Sequence, residues 1–296
     1  MIKHTVEVSR EPAHLSVRLG QLVLKNGDRV LGSLPCEDVG VVVVDNPGAS
    51  YSHAALATLA HADAVLVVCG RDHLPAAVLL PLADHSQITW RISEQVAVSR
   101  PRRKRLWKQL VQAKIRAQAA IVPTDWPAHA KLLDLARQVR SGDPANLEAQ
   151  AARVYWANWL PEVGFHRDPN GGGLNALLNY GYAIVRAAVA RALIAAGLLP
   201  ALGLFHSNRA NAFCLADDLM EPLRPLVDDR VRELFRQGRE DLNQETKARL
   251  LEILEEPVRI ARRRGPLMVA LHRMAASLVR CYQGEDSRLE IPRACE

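Results

Sequence analysis

The chain has 296 residues, and its 38 Lys and Arg against 32 Asp and Glu give a formal charge of +6. Hydrophobic residues make up 49% and charged residues 24%, proportions that exclude an intrinsically disordered chain. The five cysteines are scattered and form no C-x-x-C pair, so neither a disulfide framework nor a structural zinc site is indicated. The length predicts about two domains.

The chain shows neither a signal peptide nor a membrane-spanning segment. Its first residues, MIKHTVEV, are charged and typical of a strand. The longest uncharged apolar stretch, 192–205, has 14 residues, fewer than the ~20 that a membrane-spanning helix needs. We therefore expect a cytoplasmic protein that does not contact a membrane.

Residues 1–97 predict a small β-rich domain. Runs in which apolar and polar residues alternate predict strands, and Asn26-Gly27 predicts a hairpin turn. Apolar runs without alternation predict strands that are buried on both faces. The predicted elements are strands at 15–19, 22–25, 40–44 and 64–69 and a helix at 52–60 that begins with Ser52.

Residues 98–283 predict an all-α domain, followed by a polar tail at 284–296. Asp143-Pro144 is typical of a helix start, because Asp is a good N-cap and proline fits the first helical position. The predicted helices cover 106–120, 127–139, 148–159, 175–197, 211–219, 228–238, 242–256 and 266–282. The fold class is therefore α+β, with a β-rich N-terminal domain and a helical C-terminal domain.

Two basic stretches stand out in the helical part. Eight Lys and Arg lie between residues 100 and 116, and residues 257–284 contain six arginines and no acidic residue. Such clusters favour nucleic-acid phosphates, although a solvated helix face is the alternative. The residues that we expect to contact DNA are Arg102, Arg103, Lys104, Arg105 and Lys108.

One histidine and three acidic residues have the composition of a metal site. Asp218 and Glu221 are three residues apart and share one face of a helix. His206 follows an apolar stretch, and Glu148 lies early in an amphipathic helix. A histidine with two or more carboxylates suits a hard or borderline divalent ion. Spacing alone leaves open that His206 is a hydrogen-bonded loop residue and Asp218 the partner of an arginine.

Four long motifs give the chain a family resemblance. They are LWKQLVQAKI at 106–115, NLEAQAA at 146–152, LLNYGYAI at 177–184 and HSNRANAFCLADDLMEP at 206–222. With these motifs the chain resembles the Cas-one (Cas1) family of CRISPR-associated integrases, close to the branch found beside type II systems. The resemblance extends over nearly the whole chain.

The resemblance implies a catalytic site that holds one Mn²⁺ or Mg²⁺ ion. The implied catalytic residues and metal ligands are Glu148, His206 and Glu221, and Asp218 would lie beside the metal. Since these acidic residues would form a like-charged cluster, we expect that removing Glu221 leaves the fold intact and relieves repulsion in the metal-free protein.

The resemblance also implies the reaction and the partners. A metal-dependent DNA endonuclease and integrase would insert a short duplex, the prespacer, into a CRISPR repeat by transesterification from a 3′-hydroxyl. It would act in the prokaryotic cytoplasm as a homodimer, together with double-stranded DNA and a small partner, Cas-two (Cas2). The alternatives are a catalytically silent DNA-binding scaffold of the same fold and a metal-dependent phosphodiesterase that acts on RNA.

Overall fold

The computed structural model describes residues 3–82 and 86–295. Residues 1, 2, 83–85 and 296 lie outside the described residues. They include the first residue of the predicted β-rich domain and the last residue of the predicted polar tail. The strands are β1 (His4–Val8), β2 (His14–Arg18), β3 (Gln21–Asn26), β4 (Arg29–Pro35), β5 (Val39–Val44), β6 (Ser50–Tyr51), β7 (Val65–Cys69), β8 (Pro75–Leu79), β9 (Pro257–Ile260), β10 (Arg263–Pro266) and β11 (Arg293–Ala294). The helices are α1 (His53–His61), α2 (Ile88–Ala97), α3 (Arg100–Ile121), α4 (Pro127–Gln138), α5 (Leu147–Trp159), α6 (Leu174–Ala195), α7 (Cys214–Met220), α8 (Arg224–Arg236), α9 (Gln244–Leu251) and α10 (Leu267–Gln283).

Two four-stranded sheets form the N-terminal part. One has the strand order β1-β5-β7-β8 and the other the order β4-β3-β2-β6. The predicted hairpin is confirmed, because Asn26 at the end of β3 pairs with Arg29 at the start of β4. The helix predicted at 52–60 is also present as α1, and the Ser52 side chain accepts a hydrogen bond from the backbone N–H of Ala55 at 3.1 Å. An N-cap serine of this kind stabilises a helix start.

Strand β5 is buried on both faces, as its uninterrupted valines predict. Val42 and Val44 belong to the core between the two sheets, whereas Val41 and Val43 belong to the core shared with the helices. Every residue of β5 is buried. The β-rich and helical parts therefore pack against each other through one continuous layer, which fixes the sheet relative to the helices.

Helix α6 forms the centre of the helical part. It is long and apolar enough to span a membrane by composition alone, but 78% of its most apolar window is buried inside the protein. A Cβ atom on Gly181 would lie 2.5 Å from Cγ1 of Val227 on α8. The glycine therefore permits the close approach of α6 and α8 that brings α8 beside the site described below.

The mixed class of strands followed by helices is confirmed, and two further elements were not expected from the sequence. Helix α2 lies inside the predicted β-rich domain, and its Gln95 donates a hydrogen bond to the carbonyl of Leu199 at 3.0 Å in the helical part. A three-stranded sheet, β10-β9-β11, joins the helices. It includes the segment predicted as a polar tail, in which Leu289 is only 3% exposed. Strands of two to four residues carry too short a pattern to be recognised locally.

Candidate active site

Glu148 is placed by the turn that precedes α5. The Oδ1 and Oδ2 atoms of Asp143 accept hydrogen bonds at 2.9 Å from the backbone N–H groups of Leu147 and Glu148, respectively. The helix begins at Leu147 and not at the predicted Asp143-Pro144. Asp143 and Asn146 both have positive φ, 46° and 50°, a conformation that a right-handed helix excludes. Asp143 thus lies before the helix and caps its first backbone N–H groups.

His206 is oriented by Asp218, a fully buried residue of α7. Asp218 Oδ1 lies 2.6 Å from Nδ1 of His206, and Oδ2 accepts backbone N–H bonds from Leu204 at 2.6 Å and Phe205 at 3.0 Å. A carboxylate can only accept, so Nδ1 carries a proton, and in the neutral imidazole Nε2 then keeps its lone pair. The hydrogen bond to Asp218 raises the pKa of His206 despite its partial burial. Gly203 leaves room for this loop, because a Cβ there would lie 2.9 Å from Asp218 Oδ2.

The carboxylates of Glu148 and Glu221 meet at one ammonium group. Nζ of Lys114, on α3, lies 2.6 Å from Oε1 of Glu148 and 2.5 Å from Oε2 of Glu221. On the other side, Arg224 Nε donates to Glu221 Oε1 at 2.9 Å. Burial alone would raise the pKa of Glu221, but Arg224 and Lys114 lower it to about 2. Burial opposes the charge of Lys114, yet Glu221 and Glu148 raise its pKa.

These residues fit a divalent cation, although they are not arranged as its ligands. Among the described residues, no group of three His, Cys, Asp or Glu side chains is placed to hold a metal ion. The point where Glu148 and Glu221 converge holds the positive charge of Lys114. Two carboxylates that already enclose one cation, beside an imidazole with an available Nε2, form the oxygen and nitrogen donor set that Mn²⁺ or Mg²⁺ accepts. A bound ion would take the place of the ammonium.

The structure brings the sequence-predicted residues together in two pairs and adds two cations. Glu148 and Glu221 share Lys114, and His206 bonds to Asp218. Lys114 and Arg224 were not expected from the sequence. A signal for Lys114 exists, because it follows Leu110 by four positions on the buried face of α3. A lysine in such an apolar stripe requires a buried anionic partner.

The five basic residues predicted to contact DNA do not form one exposed surface. Arg102 donates to a carbonyl at the end of α10 at 2.6 Å, and Arg103 is half-buried beside the same helix. Lys104 and Arg105 are exposed, and Lys108 is half-buried. Their role in DNA binding stays a prediction.

A buried acid on α8 lies behind the site. Asp228 is 1% exposed and accepts hydrogen bonds from the hydroxyl groups of Tyr155, at 3.0 Å, and Tyr182. Burial raises the pKa of Asp228 to about 7, against the opposing effect of these two hydrogen bonds. The carboxyl group therefore holds a proton in the folded protein at pH values at which it is ionised in the unfolded chain.

This shift predicts how D228N changes the pH dependence of stability. The folded pKa lies above the unfolded one, so the contribution of Asp228 to wild-type stability falls as pH rises from about 4 to about 7, by up to about 4 kcal/mol. An amide at this position does not titrate, and D228N should gain stability relative to wild type over that window. Urea unfolding at several pH values measures the difference. D229N, at the exposed next residue, is the control and should show no such trend.

The family model described as CRISPR associated protein Cas1 matches residues 6–253. The chain belongs to the Cas1 family. It is 38% identical over 268 residues to the CRISPR-associated endonuclease Cas1 of Neisseria meningitidis serogroup C (strain 8013). The aligned region covers 89% of this chain and 87% of the relative. The family resemblance carried by the sequence motifs is therefore confirmed.

Solved structures share the fold of the chain. A casposase bound to an integration product superimposes with a TM-score of 0.80 at 17% identity, over 98% of this chain and 92% of the casposase. A Cas6-RT-Cas1–Cas2 complex contains a similar chain, with a TM-score of 0.79 at 17% identity, over 99% of this chain and 36% of that one. At these identities the similarity concerns the fold alone.

Proposed function

We propose that this protein is a metal-dependent DNA endonuclease and integrase that inserts short DNA duplexes into CRISPR repeats by transesterification from a 3′-hydroxyl. The observation that carries the proposal is the convergence of Glu148 and Glu221 on one cation, near enough to an oriented His206 that both carboxylates raise its pKa. The Neisseria relative, described as an endonuclease, and the casposase bound to an integration product support the same reaction class.

The chain's own residues would assemble the site. Glu148, Glu221 and His206 Nε2 would hold Mn²⁺ or Mg²⁺, which supplies a Lewis acid for the scissile phosphate and the leaving oxygen. Asp218 keeps the proton on Nδ1 of His206 and so presents a neutral nitrogen at Nε2. Arg224 fixes the opposite oxygen of Glu221 by its own hydrogen bond.

The proposal includes the partners implied by the family. We propose a homodimer that works in the prokaryotic cytoplasm with double-stranded DNA, as prespacer and repeat, and with Cas2. The similar chain in the Cas6-RT-Cas1–Cas2 complex supports the Cas2 partner. The formal charge of +6 is consistent with a polyanionic substrate.

Strand transfer tests the proposal. A short duplex with free 3′-hydroxyls is incubated with a plasmid that carries a repeat, Mn²⁺ or Mg²⁺ and Cas2. The wild type should produce joined DNA, and E148Q should reduce joining at least about 100-fold, since metal ions contribute several kcal/mol to such transition states. E162Q, at an exposed glutamate after α5, is the matched control and should join like wild type.

The alternatives give different results in the same experiment. Metal-dependent cutting without joining, lost in E148Q, would restrict the function to that of a nuclease. A catalytically silent DNA-binding scaffold would show neither reaction in any of the three proteins. Stronger competition by RNA than by duplex DNA would indicate a phosphodiesterase that acts on RNA.

A further inference from the structure

Three arginines form a row across the small C-terminal sheet. In the sheet β10-β9-β11, Arg259 lies opposite Arg264 on one side and opposite Arg293 on the other. Residues directly opposite each other on neighbouring strands project from the same face, with strands about 4.8 Å apart. Like charges in these positions destabilise a sheet. Since the row does not stabilise the sheet, we looked to ligand binding to explain it.

Arg259 and Arg293 of this row line a cavity of about 600 Å³ together with three more arginines, whereas Arg264 lies at the neighbouring cavity. The cavity lies between α3, the β9–β10 hairpin and the C-terminal segment. We name the six exposed arginines the arginine basin: Arg116, Arg259, Arg262, Arg264, Arg288 and Arg293. Within residues 3–82 and 86–295, none of the six makes a side-chain hydrogen bond or an ion pair. Their N–H donors, five on each guanidinium group, are free for a ligand.

The acidic residues beside the basin are bound to other arginines. Arg280 donates to Asp286 at 2.7 Å and to Glu290 at 3.0 Å. Arg230 forms the ion pair with Glu256. Five arginines but only two acidic residues, Asp286 and Glu290, line the cavity, so its net charge is positive.

The wall that carries Arg288 and Arg293 is held in place by side chains. Gln109 donates to the carbonyl of Ser287 at 3.0 Å and accepts from the backbone N–H of Leu289 at 2.9 Å. Ser277 accepts from the backbone N–H of Glu290 at 3.0 Å. Because this segment is ordered before a ligand arrives, binding costs less conformational entropy.

The chemistry of the basin fits phosphates. Guanidinium groups bind phosphate oxygens in a bidentate manner, and a duplex presents a dense array of negative charges. A protein partner would need an apolar centre in its interface. None of the large exposed apolar side chains of the described residues belongs to the basin.

The basin lies across α3 from the carboxylate pair. At 100° per residue, Arg116 and Gln112, which line the cavity, are each about 160° from Lys114 around the helix axis. Lys114 is buried on the opposite face, between Glu148 and Glu221. Phosphates held in the basin are therefore not the phosphate that reacts beside these carboxylates.

We propose that the arginine basin is a second DNA site that binds the phosphate backbone of duplex DNA away from the reacting phosphate. The inference rests on the proposed function, because that function supplies DNA as the ligand. The basin holds the part of the duplex that extends past the active site. It reads charge and not sequence.

Salt dependence of DNA binding tests the basin. Binding of a short fluorescein-labelled DNA duplex is followed by anisotropy in EDTA, with the full-length protein, between about 50 and 200 mM salt. R259Q/R262Q/R293Q should lower the slope of log K against log salt by about 2.7. The matched control R10Q/R18Q/R71Q removes the same charge from exposed, unpaired arginines of the N-terminal part and should keep the wild-type slope.

The outcomes separate the basin from the proposed function. If the two triple variants lose the same slope, or the basin variant loses none, the basin proposal is overturned, while strand transfer by the wild type still decides the proposed function. Binding of polyglutamate is measured in the same way. If only the basin variant loses it and DNA binding is unchanged, the basin binds an acidic protein, and the DNA proposal is overturned as well. R116Q/R288Q, on different elements, should reduce the slope as well and covers the case in which the first variant does not fold.

Discussion

Replacement of Lys114 by methionine should lower the free energy of unfolding of the metal-free protein by about 3–5 kcal/mol. The change keeps an unbranched apolar side chain, one atom shorter, but removes the ammonium that lies 2.6 Å from Glu148 and 2.5 Å from Glu221. Glu148 and Glu221 would then face each other without the ammonium between them, and only Glu221, which is 5% exposed, would keep a cation, Arg224. Urea unfolding in EDTA measures the loss.

A bound metal should reverse this loss. Since the ammonium occupies the point where the carboxylates converge, Mn²⁺ should raise the Tm of K114M by more than it raises that of wild type. K108M, on the same helix, has no ion pair within the described residues and should change stability by less than about 1 kcal/mol. An unchanged Tm of K114M in EDTA would show that Lys114 does not hold the two carboxylates together.

Local patterns in the sequence predicted much of the framework. The valines of β5 predicted a doubly buried strand, and the structure places one face on each of two cores. Helix α6 was expected as a long buried helix and is present at Leu174–Ala195. In both cases the burial pattern along a single element specifies its place, so no distant contact has to be known.

The features that were missed depend on distant contacts. Strand β11 is two residues long, and it exists because it pairs with β9, more than thirty positions earlier in the chain. The start of α5 depends on positive φ angles at Asp143 and Asn146, which the sequence pattern does not reveal. Helix α2 lies in a segment that the strand patterns around it assigned to the β-rich domain.

In the candidate site, too, the sequence predicted the residues but not the contacts between them. Family motifs supplied Glu148, His206, Asp218 and Glu221, and the structure places them in two bonded pairs. The expectation that removing Glu221 relieves repulsion does not agree with this geometry. Glu221 is enclosed by two cations, Lys114 and Arg224, and not by other carboxylates alone.

Replacement of Glu221 by glutamine should therefore destabilise the metal-free protein at neutral pH by about 3 kcal/mol. The pKa of Glu221 falls from 4.5 to about 2 on folding, and each unit corresponds to about 1.4 kcal/mol. A depressed pKa means that the stabilisation is complete above the unfolded pKa and is lost as pH falls through the folded one. The difference between wild type and E221Q should thus shrink between about pH 4.5 and pH 2.

Urea unfolding in EDTA at a series of pH values measures this difference. E162Q, whose carboxylate is exposed and unpaired within the described residues, should show no difference from wild type at any pH. If E221Q were as stable as wild type at pH 7, repulsion among the acidic residues would outweigh the two cations. If instead it is destabilised there, the carboxylate is held ionised by Lys114 and Arg224 before any metal binds, and the same ionised form is the one that a metal requires.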